Sequence, residues 1–274
     1  MLKERTFSAV IMAVVFIAAL TLLPWVGFVI FAAAVFLVGA WEWANLSGLV
    51  PKWQRAVFVM CIAMAAFAIA QMTQWTQDNQ LLTQVLVAAC IWWAVALLWV
   101  QGYPSSTVLW QSPVVKAVIG FFVLIPAWLA TIYLHQLEQG LRFIFIVVLA
   151  VACADIGAYF FGRRFGKRKL KATVSPGKSW EGVWGGVFVA GILAFLLSLI
   201  SSPPYFYTPF IVIMPIALVS VLGDLLESMF KRHAGLKDSG SILPGHGGVL
   251  DRIDGLVAAV PVYTILLIST GWGH

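Results

Sequence analysis

About nine stretches of this 274-residue chain are long and apolar enough to approach a bilayer crossing, and only short polar connections separate them. A hydrocarbon core about 30 Å thick takes about 20 mostly apolar residues in a helix. The stretches are roughly 7–22, 25–46, 55–72, 81–100, 116–134, 141–161, 181–200, 207–230 and 249–271. Backbone polar groups find no water at that depth, so each crossing must satisfy its own hydrogen bonds. The expected fold is therefore all-α, a polytopic helical bundle in lipid. Pro24 separates the first two stretches, which predicts a tight hairpin rather than one long helix.

Composition supports the same class. The chain is 62% hydrophobic and 10% charged, against roughly 45–50% and about 25% in soluble domains. The charged start, Met1 to Arg5, followed by an apolar run has the outline of a secretory signal. A second apolar run follows without a small-residue cleavage site, so an uncleaved first span is expected. Cys61, Cys90 and Cys153 lie inside apolar stretches at no metal-ligand spacing and read as small hydrophobes.

The charges are unevenly placed. Most Lys and Arg, and most Asp and Glu, fall between residues 155 and 254. That divides the chain into scaffold helices over 1–140 and a chemistry-bearing region over 141–274, with polar loops at 162–180 and 231–248. With the N-terminus inside, nine crossings put every Lys and Arg except Arg142 on the cytoplasmic side, as the positive-inside rule asks. The net charge of +6 then orients the chain and meets anionic headgroups. It gives little support to nucleic-acid binding.

Three polar constellations stand out. Asp224, Glu227, Ser228 and Lys231 recur at i, i+3, i+4 and i+7, on one face near the end of the eighth stretch. Ionisable groups at the edge of a span are costly and usually face a protein interior or a wet cavity. A structural ion pair of Asp224 with Lys231 or Arg232 is the plainer alternative. Asp251 and Asp254, again i and i+3, open the last stretch. Two helices can thus bring Asp224 and Asp251 together, and oxygen-only ligands suit Mg²⁺ completed by substrate phosphates. Capping of the last helix by Asp251 is the competing reading.

Between these helices run Lys237-Asp238-Ser239-Gly240 and Pro244-Gly245-His246-Gly247-Gly248, whose glycine backbone can approach a phosphate. His246 is a phosphate-binding candidate and equally a local hydrogen-bonding residue. The third constellation starts at Asp155 and Tyr159. It continues through the basic run Arg163 to Lys171 to Ser175-Pro176-Gly177-Lys178-Ser179-Trp180-Glu181. Its charge suits lipid headgroups or a polyphosphate. Gly177-Lys178-Ser179 ends like a P-loop, but Ala172 stands where that motif needs glycine, and no strand is expected before it. Ser175 or Ser179 is expected to open the seventh helix, an anion-binding position.

From Ser228 to Asp254 the chain resembles the signature of phosphatidate cytidylyltransferases, also called CDP-diacylglycerol synthases. Each specified position is filled, from Ser228, Lys231 and Arg232 through Lys237-Asp238 and His246-Gly247-Gly248 to Asp251-Arg252 and Asp254. Asp155 to Gly162, Ser175 to Gly182, Gly223 to Glu227 and Trp41-Glu42-Trp43 extend it. The resemblance implies a bacterial-type inner-membrane enzyme of phospholipid biosynthesis. It would join CTP and phosphatidic acid into CDP-diacylglycerol and pyrophosphate, with Mg²⁺, a second cation at most, and a homodimeric assembly. It puts Asp224 and Asp251 on metal, with Glu227 and Asp254 as further candidates. Lys237, Asp238 and Arg252 join Asp224 and Asp251 in the catalytic set. Ser175, Lys178, Ser228, Lys231, Arg232, His246, Gly247 and Gly248 are expected to bind substrate phosphates. The attacking phosphate needs little deprotonation, its second pKa being about 6, so no general base is expected.

Rival classes are a CTP-dependent lipid-alcohol kinase and, less favoured, an anionic-metabolite transporter, since the charges gather at one face rather than at midplane.

Overall fold

The computed structural model describes residues 2–77, 79–201, 205–243 and 245–272, and the side chains of these except 2–7, 9 and 79. Pro244, His274 and the side chains of Lys3 and Arg5, which figured in the loop and topology expectations, lie outside that description, as do Asp78 and residues 202–204 of the far-side connections.

The helices are α1 (Leu2–Leu22), α2 (Trp25–Leu46), α3 (Lys52–Met72), α4 (Asn79–Gly102), the single turn α5 (Thr107–Trp110), α6 (Pro113–Gln136) and α7 (Gly140–Phe165). Strands β1 (Lys169–Lys171) and β2 (Ser175–Ser179) follow, then α8 (Trp180–Leu199), α9 (Thr208–His233) and α10 (Leu250–Thr270). Among the described residues, 8 helices have the length and apolarity to cross a membrane. The expected ninth crossing is α1, Leu2–Leu22, of which the stretch Val10–Leu22 lies in the described side chains and is apolar. Pro24 does end the first helix and begin the second.

Both halves of the chain pack into one bundle. α10 lies against α9, α6, α4, α7 and α2, so the expected scaffold helices reach the chemistry-bearing ones directly. Small residues bring the backbones close. A Cβ on Gly186 would stand 2.5 Å from the carbonyl of Ala154, and one on Gly157 2.6 Å from that of Gly185, so α7 and α8 meet almost backbone to backbone. At Gly223 a Cβ would collide with the carbonyl of Asp254. That glycine lets α9 and α10 cross where each carries its carboxylates.

The basic segment differs from expectation. Helix α7 runs on through Arg163 and Arg164 to Phe165, and Lys169–Ser179 forms an antiparallel β-hairpin rather than an open loop. Local chemistry explains it. Ser179 caps α8, its hydroxyl accepting from the Gly182 amide at 3.1 Å. Glu181 accepts the amides of Lys167 and Arg168, each at 3.1 Å. Arg232 donates to the Val174 carbonyl at the hairpin turn, and Lys171 donates to the Gln101 carbonyl at the end of α4. The hairpin is thus tied to three helices. Strand β1 therefore does precede Gly177-Lys178-Ser179, which themselves lie within β2, but the P-loop glycine is still missing, since Ala172 occupies its place.

Candidate active site

Five elements meet at one end of the bundle: α2, the hairpin, α9, α10 and the loop between the last two. Lys178 in β2 projects to α9 and pairs with Asp224, Nζ to Oδ2, at 2.6 Å. Ser228, one turn on, donates to the other Asp224 oxygen at 3.1 Å. The hairpin therefore places its cation on the carboxylate stripe rather than in solvent.

A second pair lies alongside. Lys231 binds Asp251 Oδ1 at 2.6 Å and Glu227 Oε1 at 3.4 Å, with all three side chains almost wholly buried. The sequence alternatives paired Asp224 with Lys231 or Arg232. In the structure Lys231 crosses to α10 instead, and Arg232 turns to the hairpin.

Asp251 also holds the loop. Its Oδ2 accepts the Ser239 amide at 2.9 Å, the Ser239 hydroxyl at 3.0 Å and the Gly248 amide at 2.8 Å. Gly247 makes that approach feasible, since it has φ +84° and a Cβ there would stand 2.7 Å from Asp251 Oδ2. The Gly248 amide is thereby committed to Asp251. His246 accepts from or donates to Ser8 of α1 through Nδ1 at 2.7 Å, which joins the first helix to the same loop.

Glu42 is the residue that the sequence left without a role. It is only 2% exposed. Its two oxygens accept the Val249 amide at 3.1 Å and the Leu250 amide at 2.8 Å, capping α10 from α2. Ser239 lies between the two carboxylates, its hydroxyl 3.2 Å from Glu42 and 3.0 Å from Asp251, so one proton is shared between them. A helix N-terminus offers unpaired amides and positive potential, which a buried carboxylate matches. The signal was a glutamate inside an apolar stretch, which by itself names no partner.

The remaining carboxylates gather beneath the Lys178–Asp224 pair. Asp254 lies within electrostatic reach of Asp224, Lys178 and Glu227, and Asp155 on α7 within reach of Lys178, Asp224 and Arg252. Beyond the 3.4 Å ion pair of Oε1 with Lys231, neither buried Glu227 oxygen accepts a hydrogen bond. Under-satisfied carboxylate oxygens beside other carboxylates fit a hard cation with an oxygen-only donor set. Among the described residues no three acidic, His or Cys groups close into a ready cage. Magnesium asks for one or two carboxylates with waters and substrate phosphates completing its shell, so this arrangement suits it.

The other expected residues are more peripheral. Lys237 and Asp238 are exposed on the loop, Arg252 is exposed at the start of α10, and Ser175 lies half-buried at the start of β2. The site thus has a buried clamp of Glu42, Ser239, Asp251 and Lys231. Beside it is a more open row of Lys178, Asp224 and Arg252, with Asp254 deeper behind it.

Similarity to known proteins extends along the whole chain. The family model described as the cytidylyltransferase family matches residues 3–270. A Pseudomonas aeruginosa protein named phosphatidate cytidylyltransferase is 40% identical, the match covering 100% of this chain and 99% of that protein. The protein of that name from Haemophilus influenzae is also 40% identical, over 96% of this chain and 98% of its own. The one from Bacillus subtilis is 38% identical, over 63% and 67%.

Proposed function

Since the chain belongs to the cytidylyltransferase family, we propose that it is a membrane nucleotidyltransferase that makes CDP-diacylglycerol and pyrophosphate from CTP and phosphatidic acid. The observation that carries the reading at residue level is the Lys178–Asp224 pair, set by the hairpin beside Asp155, Asp254 and Glu227. A phosphate oxygen of phosphatidate forms a bond to the α-phosphorus of CTP. The bond from that phosphorus to the bridging oxygen breaks, and pyrophosphate leaves with the electron pair. Both reactants are anions, so bringing them together is the main obstacle. Positioning and charge neutralisation are the means available to protein groups.

In this reading Lys178 neutralises the nucleotide phosphates from the hairpin, and the basic residues around it raise the local concentration of CTP. Arg252 stands on the α10 side, where a lipid phosphate would arrive. Glu227 and Asp254 would hold Mg²⁺, joined by Asp224 once Lys178 turns to the nucleotide; Asp251 would join only by releasing Lys231 and the loop amides, so we assign it first to the loop clamp. When bound, the cation offsets charge on the triphosphate. No side chain is needed as general base, because the attacking phosphate is already largely ionised near pH 7.

CTP comes from water and phosphatidate from the bilayer, so the site belongs at headgroup depth. The lysine- and arginine-rich end of the bundle is the cytoplasmic one on the positive-inside rule. Cysteines placed at exposed Ala234, in the loop after α9, and at Ser201 are expected to react from opposite sides of sealed vesicles, and labelling from one side would overturn that topology. The reaction itself is tested with purified protein, Mg²⁺ and labelled CTP. Pyrophosphate is expected only when phosphatidate is added, together with a CDP-lipid. CDP with a phosphorylated lipid alcohol would instead indicate a kinase.

A further inference from the structure

Lys116, on the first turn of α6, has no part in the row of Lys178 and Asp224. It is buried, 6% exposed, and among the described residues its ammonium meets no hydrogen-bond acceptor, carboxylate or aromatic face. Only its backbone carbonyl is engaged from outside α6, accepting the Trp43 indole proton at 2.8 Å. A lysine in such a place would ordinarily close a helix C-terminus. It does lie beside the end of α2, since a Cβ on Gly48 would stand 3.9 Å from its Nζ. That end already has its own closure. The Gly48 amide donates to the Asn45 carbonyl and the Leu49 amide to that of Ala44, each at 3.0 Å, and the Ser47 hydroxyl to that of Trp43 at 2.9 Å. Arg55 supplies the turn with two further bonds, to the Leu49 carbonyl and Asn45 Oδ1. A buried cation without a partner is costly, so it marks a place where a counter-charge arrives.

His233 is the second group there. It follows Lys231 by two residues, about 200° round α9, and so faces away from the carboxylates. Its ring lies 4.9 Å from that of Trp110 and within electrostatic reach of Lys116. The surroundings are exposed and apolar. Val50 and Trp53 in and after the α2 turn, and Val108, Leu109 and Val114 at the α5–α6 corner, are 63–77% exposed. Apolar side chains presented at the basic end of a bundle suit the headgroup boundary of a bilayer.

We propose that Lys116 and His233 form a second phosphate site, on the side of α9 away from the row of Lys178 and Asp224, and that an anionic phospholipid headgroup fills it. Lys116 supplies the charge and His233 a ring N–H. A phosphate held there bridges the α2 turn, the start of α6 and the end of α9. The inference is independent of the proposed reaction, since neither residue is assigned to CTP or phosphatidate. A soluble phosphate would meet the same two groups but would have no use for the apolar rim.

The test titrates the full protein, delipidated in a neutral detergent, with phosphatidylglycerol, counting bound lipid by native mass spectrometry and following the melting midpoint. Wild type is expected to retain one phosphatidylglycerol that Lys116→Met binds about tenfold more weakly, the loss of one charge-assisted bond. Lys116→Arg should keep it, and His233→Gln should weaken it less. Phosphatidylglycerol should raise the midpoint of wild type and not that of Lys116→Met. Without lipid, Lys116→Met should be at least as stable as wild type, because methionine fills the space without a buried charge. Equal retention by wild type and Lys116→Met would overturn the site. A midpoint lowered by Lys116→Met in detergent alone would also overturn it, making Lys116 a structural contact. If millimolar inorganic phosphate protected wild type as well as phosphatidylglycerol does, the lipid would be overturned as the occupant.

Discussion

Asp224→Asn is expected to lower turnover about 10³-fold and to raise the Mg²⁺ concentration needed for half-maximal rate. The substitution keeps the shape of the side chain and removes one charge. It leaves Lys178 without the carboxylate that it meets at 2.6 Å, and Ser228 beside a neutral amide. Loss of one preorganised electrostatic contact in an active site costs about 10²–10³ in rate. Here the same change removes a proposed cation ligand as well. Lys178→Met should cost about 10²-fold and leave the Mg²⁺ dependence closer to that of wild type. Because the two groups act as a pair, the double variant should fall far less than the product of the two single losses. The measurement is pyrophosphate release across a Mg²⁺ titration for the four proteins. Normal turnover by Asp224→Asn at every Mg²⁺ concentration would remove Asp224 from the site.

The sequence was most legible where one helix carried the whole pattern. The stripe of Asp224, Glu227, Ser228 and Lys231 needed only helical periodicity, and the helix is there. The apolar stretches likewise predicted the bundle, because bilayer thickness fixes helix length whatever the neighbours do. The signal weakened where pairing crosses elements. Periodicity placed Lys231 near Asp224 on its own helix, yet Asp251 on α10 takes it. Asp251 was proposed for metal and, alternatively, as a cap. The structure gives it the Ser239 and Gly248 amides, a loop-holding role that depends on Gly247 at positive φ. The hairpin is not legible in the sequence because a three-residue strand paired with Ser-Pro-Gly-Lys-Ser has almost no pattern of its own. It persists through Glu181, Arg232 and Lys171, contacts that only the assembled bundle provides. Glu42 was the hardest case, since its partners Val249 and Leu250 lie 207 and 208 residues away in the chain.

For the same reason Glu42→Ala should be among the most damaging single substitutions outside the row of Lys178 and Asp224. It frees two amides at the start of α10 and leaves Ser239 with Asp251 alone. Each buried donor left unpaired costs about 1–3 kcal/mol, so a loss of about 2–5 kcal/mol is expected if water does not enter. A cavity at the α2–α10 contact adds to it. The site would feel the change through position, because α10 carries Asp251, Arg252 and Asp254 on its first turns. A shift of about 1 Å in reacting groups lowers rate about 10²-fold. Glu42 touches neither proposed substrate, so it acts as a positioning residue, and kcat should fall while the KM for CTP changes little. Glu42→Gln separates the cap from the charge. It keeps one acceptor oxygen for one amide and turns a donor toward the other, so partial recovery of both melting midpoint and kcat is expected. If Glu42→Ala lowered the midpoint but left kcat intact, the clamp would be structural only. If it raised the KM for CTP at constant kcat, Glu42 would belong to the nucleotide pocket instead. The split between those constants decides whether α2, from the first half of the chain, sets the geometry of the last helix's carboxylates.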